Sequence, residues 1–151
     1  MQNSLDLLRT TRSHYLNYLN QLDLHALSKI PSGYNNSIFW NIAHSVVTQQ
    51  LLCYKLSSLE MYVSEEYVLA YKKGSKPNQR ISKNDVDYLK ELLVSTADKL
   101  ENDLKAGRFV SYVPYATSFG SKLENITDAI SFNLVHESLH LGYCMALKRS
   151  I

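Results

Sequence analysis

The chain has 151 residues, 45% of them hydrophobic, with 16 Lys and Arg against 14 Asp and Glu and a formal charge of +2. That apolar content excludes a disordered chain, the small charge offers no basic face for nucleic acid, and two cysteines, Cys53 and Cys144, do not make a disulfide scaffold. No apolar run approaches the ~20 residues that cross a bilayer, and Asp6, Arg9 and Arg12 interrupt the place of a secretory apolar run, so the expectation is one cytoplasmic domain over residues 1–151 with no membrane partner.

Gly and Pro divide the chain. Pro31 and Gly33 make one break, Gly74 and Pro77 a second, and Gly107, Pro114 and Gly120 a third. Both residue types disfavour helix interiors and collect where helices stop. Four long segments remain, and each carries apolar residues at three-four spacing. The first, about 3–23, places Leu5, Leu8, Tyr15, Leu19 and Leu22 on one face. The second, about 37–58, does so with Trp40, His44, Val47, Leu51 and Tyr54, and Asn36 or Ser37 is its cap. Residues 64–71 read as an extra short helix with Gly74 just beyond. The third long helix, about 83–105, opens on a Ser82–Asp85 capping box. Residues 108–119 alternate like a strand but lie between helices, and read as an irregular or short extended connection. The fourth helix, about 125–149, opens on Asn125 with Asp128 and carries Asn133, His136, His140 and Tyr143 along one stripe. Its remaining sides are so apolar that it is expected to be largely buried. The fold class is all-α: a four-helix bundle with an extra short helix and an irregular connection between helices 3 and 4.

Three of the five histidines draw together on this plan. His136 and His140 stand four apart, which stacks two imidazoles on one helical face about 5–6 Å apart at Cβ. His44 sits on the inward face of the second helix. Three imidazoles leave coordination positions open, the pattern of a catalytic metal. The alternative is three core histidines bonded to one another, to water or to asparagines. His14 and His25 read as surface residues.

Residues 136–140 spell His-Glu-Ser-Leu-His, the zinc-peptidase pattern. Only eleven residues follow, none of them His, Asp or Glu, so the further ligand of those enzymes is missing. A di-iron bundle needs a second Glu-x-x-His, and Asn41 stands where its glutamate would pair with His44. Glu137 is therefore either a catalytic base or a support that joins another helix through hydrogen bonds. Cys144 lies one turn past His140, as a pocket or packing residue. The basic run Lys72, Lys73, Lys76, Arg80 and Lys83 reads as a solvated loop. Tyr15, Tyr54 and Tyr143 are core or subunit-interface candidates, and Tyr112 and Tyr115 are placed to overhang a metal.

The stretch Phe39-Trp40-Asn41-Ile42-Ala43-His44 and the ending Asn133-Leu-Val-His136-Glu-Ser-Leu-His140-Leu-Gly142 resemble the second and fourth helices of the DinB-like family. The similarity covers nearly the whole chain. It implies a divalent metal, commonly zinc or nickel, on His44, His136 and His140, with Trp40, Asn41, Asn133 and Cys144 around it, and a homodimer. It also implies a transferase or isomerase that uses a small-molecule thiol such as bacillithiol or mycothiol with an electrophile. Gly142 otherwise marks only a close helix contact. Two other functions stand beside this one: a non-catalytic metal- or ligand-binding module, and a metal-dependent hydrolase with Glu137 as base.

Overall fold

Apolar three-four spacing and local caps decide where the helices lie. A computed structural model describes residues 2–78 and 80–151. Helix α1 (Gln2–Gln21) buries Leu5, Leu8, Tyr15 and Leu19, the predicted stripe. It stops short of residue 23 because Asp23 starts a separate short helix, α2 (Leu24–Ser28), by accepting a hydrogen bond from the Ala26 amide at 2.7 Å. Helix α3 (Ile38–Gln49) is capped by Ser37, whose Oγ accepts from the Trp40 amide. Eleven of its twelve residues are buried.

The expected single helix over 37–58 does not keep one pitch. Its second half widens into a π-helical turn (Gln50–Tyr54) and then tightens into a 3₁₀ turn (Lys55–Ser57) that ends with Ser58 at φ 57°. Hydrogen bonds with no sequence signature hold the wide turn. The Gln50 Oε1 accepts from the Tyr62 amide at 2.7 Å, and its amide nitrogen donates to Gln49 Oε1 at 2.6 Å.

Helix α4 (Glu65–Tyr71) is the short helix expected from the sequence, capped by Ser64. Gly74, at φ 86°, makes the turn after it. Helix α5 (Lys83–Lys105) opens on the complete Ser82–Asp85 capping box. The long connection then forms a small antiparallel pair, β1 (Tyr115–Ala116) with β2 (Lys122–Leu123), in the register Tyr115 to Leu123 and Ala116 to Lys122. Helix α6 (Ile126–Lys148) is capped by Asn125. The Asp128 carboxylate accepts from the Glu124 amide, one residue before the position a capping box requires.

The chain is therefore all-α apart from two residue pairs of strand. Helix α3 packs on α6, α1 packs on both α5 and α6, and α4 lies against α3. Two apolar clusters fill the interior. One joins Tyr15, Phe39, Ile42, Val46, Leu89 and Leu147, and the other joins Leu5, Leu8, Tyr54, Leu100 and Ile130. Among the described residues no helix is long and apolar enough to cross a membrane.

Helix α6 departs from expectation. It was expected to be buried on most sides, but it buries one face only, through Ala129, Ile130, Asn133, Glu137, Cys144 and Leu147. Val135, Leu139, Tyr143 and Met145 are exposed, because α1 and α3 cover only the opposite side. The close helix contact expected at Gly142 is also missing: a Cβ there would meet nothing within 4 Å.

Candidate metal centre

Helices α3 and α6 cross where His44 faces His136 and His140. One ring nitrogen from each of the three lies within 4.8 Å of the others, the only such grouping among the described residues. His44 is buried and the other two are partly buried. Ring centroids stand 5.2 Å apart for His44–His136, 4.9 Å for His44–His140 and 4.5 Å for His136–His140.

Hydrogen bonds orient two of the rings. His44 Nδ1 lies 2.7 Å from the Tyr71 carbonyl oxygen, which can only accept, so Nδ1 carries the proton and Nε2 keeps its lone pair. Helix α4 thus contributes its last carbonyl to the site. His140 Nδ1 lies 2.7 Å from Asn41 Oδ1. The Asn41 amide nitrogen donates to the Ser37 carbonyl at 2.7 Å, which fixes Oδ1 as the end that faces His140. His140 therefore also keeps the Nε2 lone pair free. The third ring differs, since His136 Nδ1 is buried without a hydrogen-bond partner.

All three imidazoles are held neutral. Burial pushes His136 down to about 3, helped by His140 and His44 beside it. Burial and the His44 ring push His140 down to about 4. Burial lowers His44 too, against the pull of the Tyr71 carbonyl, and the Lys73 ammonium adds to the lowering. Neutral imidazole is the ligand form. Three neutral rings with lone pairs drawn together, one nitrogen buried and unpartnered, and no carboxylate in the group fit a borderline divalent cation.

Trp40 stacks on His44 with ring centroids 4.6 Å apart and planes 9° from parallel. Its indole N–H donates to Ser75 Oγ at 3.0 Å, which ties the turn after α4 to the site. Glu137 is fully buried. Arg12 donates to it from Nε at 3.1 Å and from Nη2 at 2.9 Å, and the Asn133 amide donates to Oε1 at 2.9 Å. Both carboxylate oxygens are thereby engaged away from the three-histidine group, and Glu137 does not line the adjoining cavity. Cys144 is buried against the Ile38 carbonyl, 3.9 Å away, and does not line that cavity either. Burial pushes its thiol up to about 12. His14 and His25 are exposed, as expected.

The site opens on a cavity of about 290 Å³. His44 and His136 line it, Leu51, Leu52, Leu56 and Phe132 supply apolar walls, and Lys55 and Lys73 are its positively charged lining residues, while His140 lines a separate pocket with Asn41, Leu139 and Tyr143. Of the two tyrosines expected to overhang a metal, Tyr115 lines the cavity and Tyr112 packs against the core. The π-helical turn supplies Leu51 and Leu52, so the change of pitch lies in the cavity wall, and such turns recur at functional sites. Sequence reasoning missed Arg12, the Tyr71 carbonyl and Lys73. Lys73 was grouped with a solvated basic run, and the other two carry no local signal.

A family model described as the DinB superfamily matches residues 7–144. The chain belongs to the DinB superfamily. The matched span contains the whole three-histidine group, with α1 lacking its first five residues and α6 its last turn. No curated protein matches the chain.

Proposed function

We propose that this DinB-superfamily chain is a metal-dependent enzyme, a thiol S-transferase with one divalent ion, zinc or nickel, on His44, His136 and His140. The observation that carries the reading is the convergence of three neutral imidazoles, two of which, His44 and His136, line a cavity. A cation held there by three histidines would have an open position and would lower the pKa of a thiol placed on it.

The chain's own residues supply orientation and apolar walls. Tyr71 and Asn41 hold two rings in the tautomer that leaves Nε2 unprotonated, and the Thr48 hydroxyl lies 3.3 Å from the Nε2 of His44. Trp40 covers one face of His44. Leu51, Leu52 and Phe132 give the cavity apolar walls. The four long helical segments are read as a four-helix bundle whose second and fourth members carry the site. The open apolar face of α6 supports a homodimer, with Gly142 on that face leaving room for a neighbouring helix.

Glu137 is read as a support that anchors α6 to α1 through Arg12, because its oxygens are already engaged. That leaves the hydrolase alternative without its base.

The test is metal-loaded protein assayed with a low-molecular-weight thiol and an electrophile such as monobromobimane. Loss of turnover in His44→Ala and His140→Ala together with their metal is expected. Full turnover in metal-free protein would overturn the reading.

A further inference from the structure

The cavity beside the three histidines contains no acidic side chain among its lining residues. Two of those residues, Lys55 and Lys73, are exposed at the chain level and form no salt bridge among the described residues. Six basic residues elsewhere, Arg9, Arg12, Lys90, Lys105, Arg108 and Lys122, pair with carboxylates, so what sets Lys55 and Lys73 apart from the other unpaired cations is their place on the wall of this cavity. The proposed three-histidine centre brings no negative ligand either, so a divalent cation would add its full charge to the same concave space. Such a cleft with low-dielectric walls concentrates anions. Its size also limits the occupant, since about 290 Å³ lies at the small end of ligand cavities.

We propose that this cavity selects a small organic anion, its apolar body against Leu52 and Phe132 and its oxyanion paired with Lys55 and Lys73. The inference rests on the metal-enzyme reading for the role of this molecule as substrate, but the lysines and the apolar wall act with or without the cation. The arrangement assigns separate tasks. The apolar wall supplies affinity proportional to buried area, and the two ammonium groups fix which end lies outermost. Lys55 sits on the 3₁₀ turn that follows the π-helical turn, and Lys73 sits at the Gly74 turn after α4. Two irregular pieces of backbone thus bring two lysines to the wall of one cavity, and a regular helix over 37–58 would place Lys55 differently.

The experiment compares hexanoate with hexan-1-ol, equal in chain length and different in charge, by calorimetric titration of the full chain as purified. Metal content is measured on the same samples. Hexanoate is expected to bind about tenfold more tightly than the alcohol. In the Lys55→Gln/Lys73→Gln double variant that advantage disappears while binding of the alcohol stays unchanged. Both lysines are exposed and neither makes a salt bridge among the described residues, so the variant is expected to keep the fold, which an unchanged melting temperature verifies. Equal binding of the two probes, binding of neither, or a hexanoate advantage that survives the double substitution overturns the proposal. A metal-free sample that still loses its hexanoate preference on substitution supports it while counting against the metal reading, so the two fail separately.

Discussion

Asn41 joins two helices at the level of a single side chain. Its amide nitrogen is bound within α3 to the Ser37 carbonyl, and its oxygen receives the His140 Nδ1 proton from α6. Outer partners of this kind commonly change metal affinity about 10–100-fold when removed. Asn41→Ala is therefore expected to weaken metal binding by about that factor in a chelator competition while the protein stays folded; unchanged affinity would show that Asn41 does not orient the ligand. The depressed histidines also set an acid limit on the metal-free protein. His136 at about 3 and His140 at about 4 stand below the ~6.5 of an unfolded chain. Between those values the unfolded state binds more protons than the folded one, so stability is lost as pH falls from about 6.5 towards 4. Thermal melts of metal-free protein from pH 7 to 4 should show this decline, and a flat profile would contradict it. The two thiols give a third check. Burial pushes Cys53 and Cys144 up to about 12 each, so neither should react with a disulfide reagent at pH 8 until denaturant is added. Fast native labelling of either would overturn its placement. At this scale the three-histidine group was legible because an i, i+4 pair and a histidine on a core stripe are local patterns. The carbonyl of Tyr71 was not, because a backbone acceptor has no residue-type signature.

Between elements, Arg12 on α1 and Glu137 on α6 form the one salt bridge among the described residues with both side chains buried. Arg12 also donates to the Leu93 carbonyl at 3.0 Å and to Thr96 Oγ1 at 2.8 Å on α5, so one guanidinium joins three helices. Tyr15, one turn later, donates to the Glu137 carbonyl at 2.6 Å and contacts Ser45 on α3. Removing one partner of a buried pair leaves the other charge uncompensated, at a cost of about 3–5 kcal/mol. Glu137→Gln is thus expected to lower unfolding free energy by roughly 3 kcal/mol while one metal ion per chain is retained. A variant of normal stability that binds metal but has lost turnover would instead make Glu137 a catalytic base. The sequence showed Arg12 only as a charge near the N-terminus, since its partner is 125 residues away. The helix ends were more legible, because Ser37, Ser82 and Asn125 cap through bonds three residues long. The π-helical turn was hidden because the apolar spacing of Val47, Leu51 and Tyr54 is consistent with an unbroken helix.

For the whole molecule, the apolarity of α6 resolves into two faces with different uses. One closes the core, and the other leaves Val135, Leu139 and Tyr143 in solvent. Exposed apolar patches of this kind mark contact surfaces. If a second copy covers it, light scattering gives twice the monomer mass, and Leu139→Glu returns the monomer; a wild-type monomer at all concentrations would contradict the homodimer. Sequence alone read both faces as core, because hydrophobicity reports a preference for burial and not the identity of what covers the residue. The same limit applies to the cavity, whose walls come from α3, its irregular extension, the loop after α4, the β1–β2 connection and α6. What unites these parts is the three-histidine group, and metal analysis of the purified chain tests it most directly. After loading with zinc or nickel and exhaustive dialysis, the wild type should retain one ion per chain, and His44→Ala and His136→Ala should retain far less. Retention by a variant lacking all three histidines, or none by the wild type, would contradict the account.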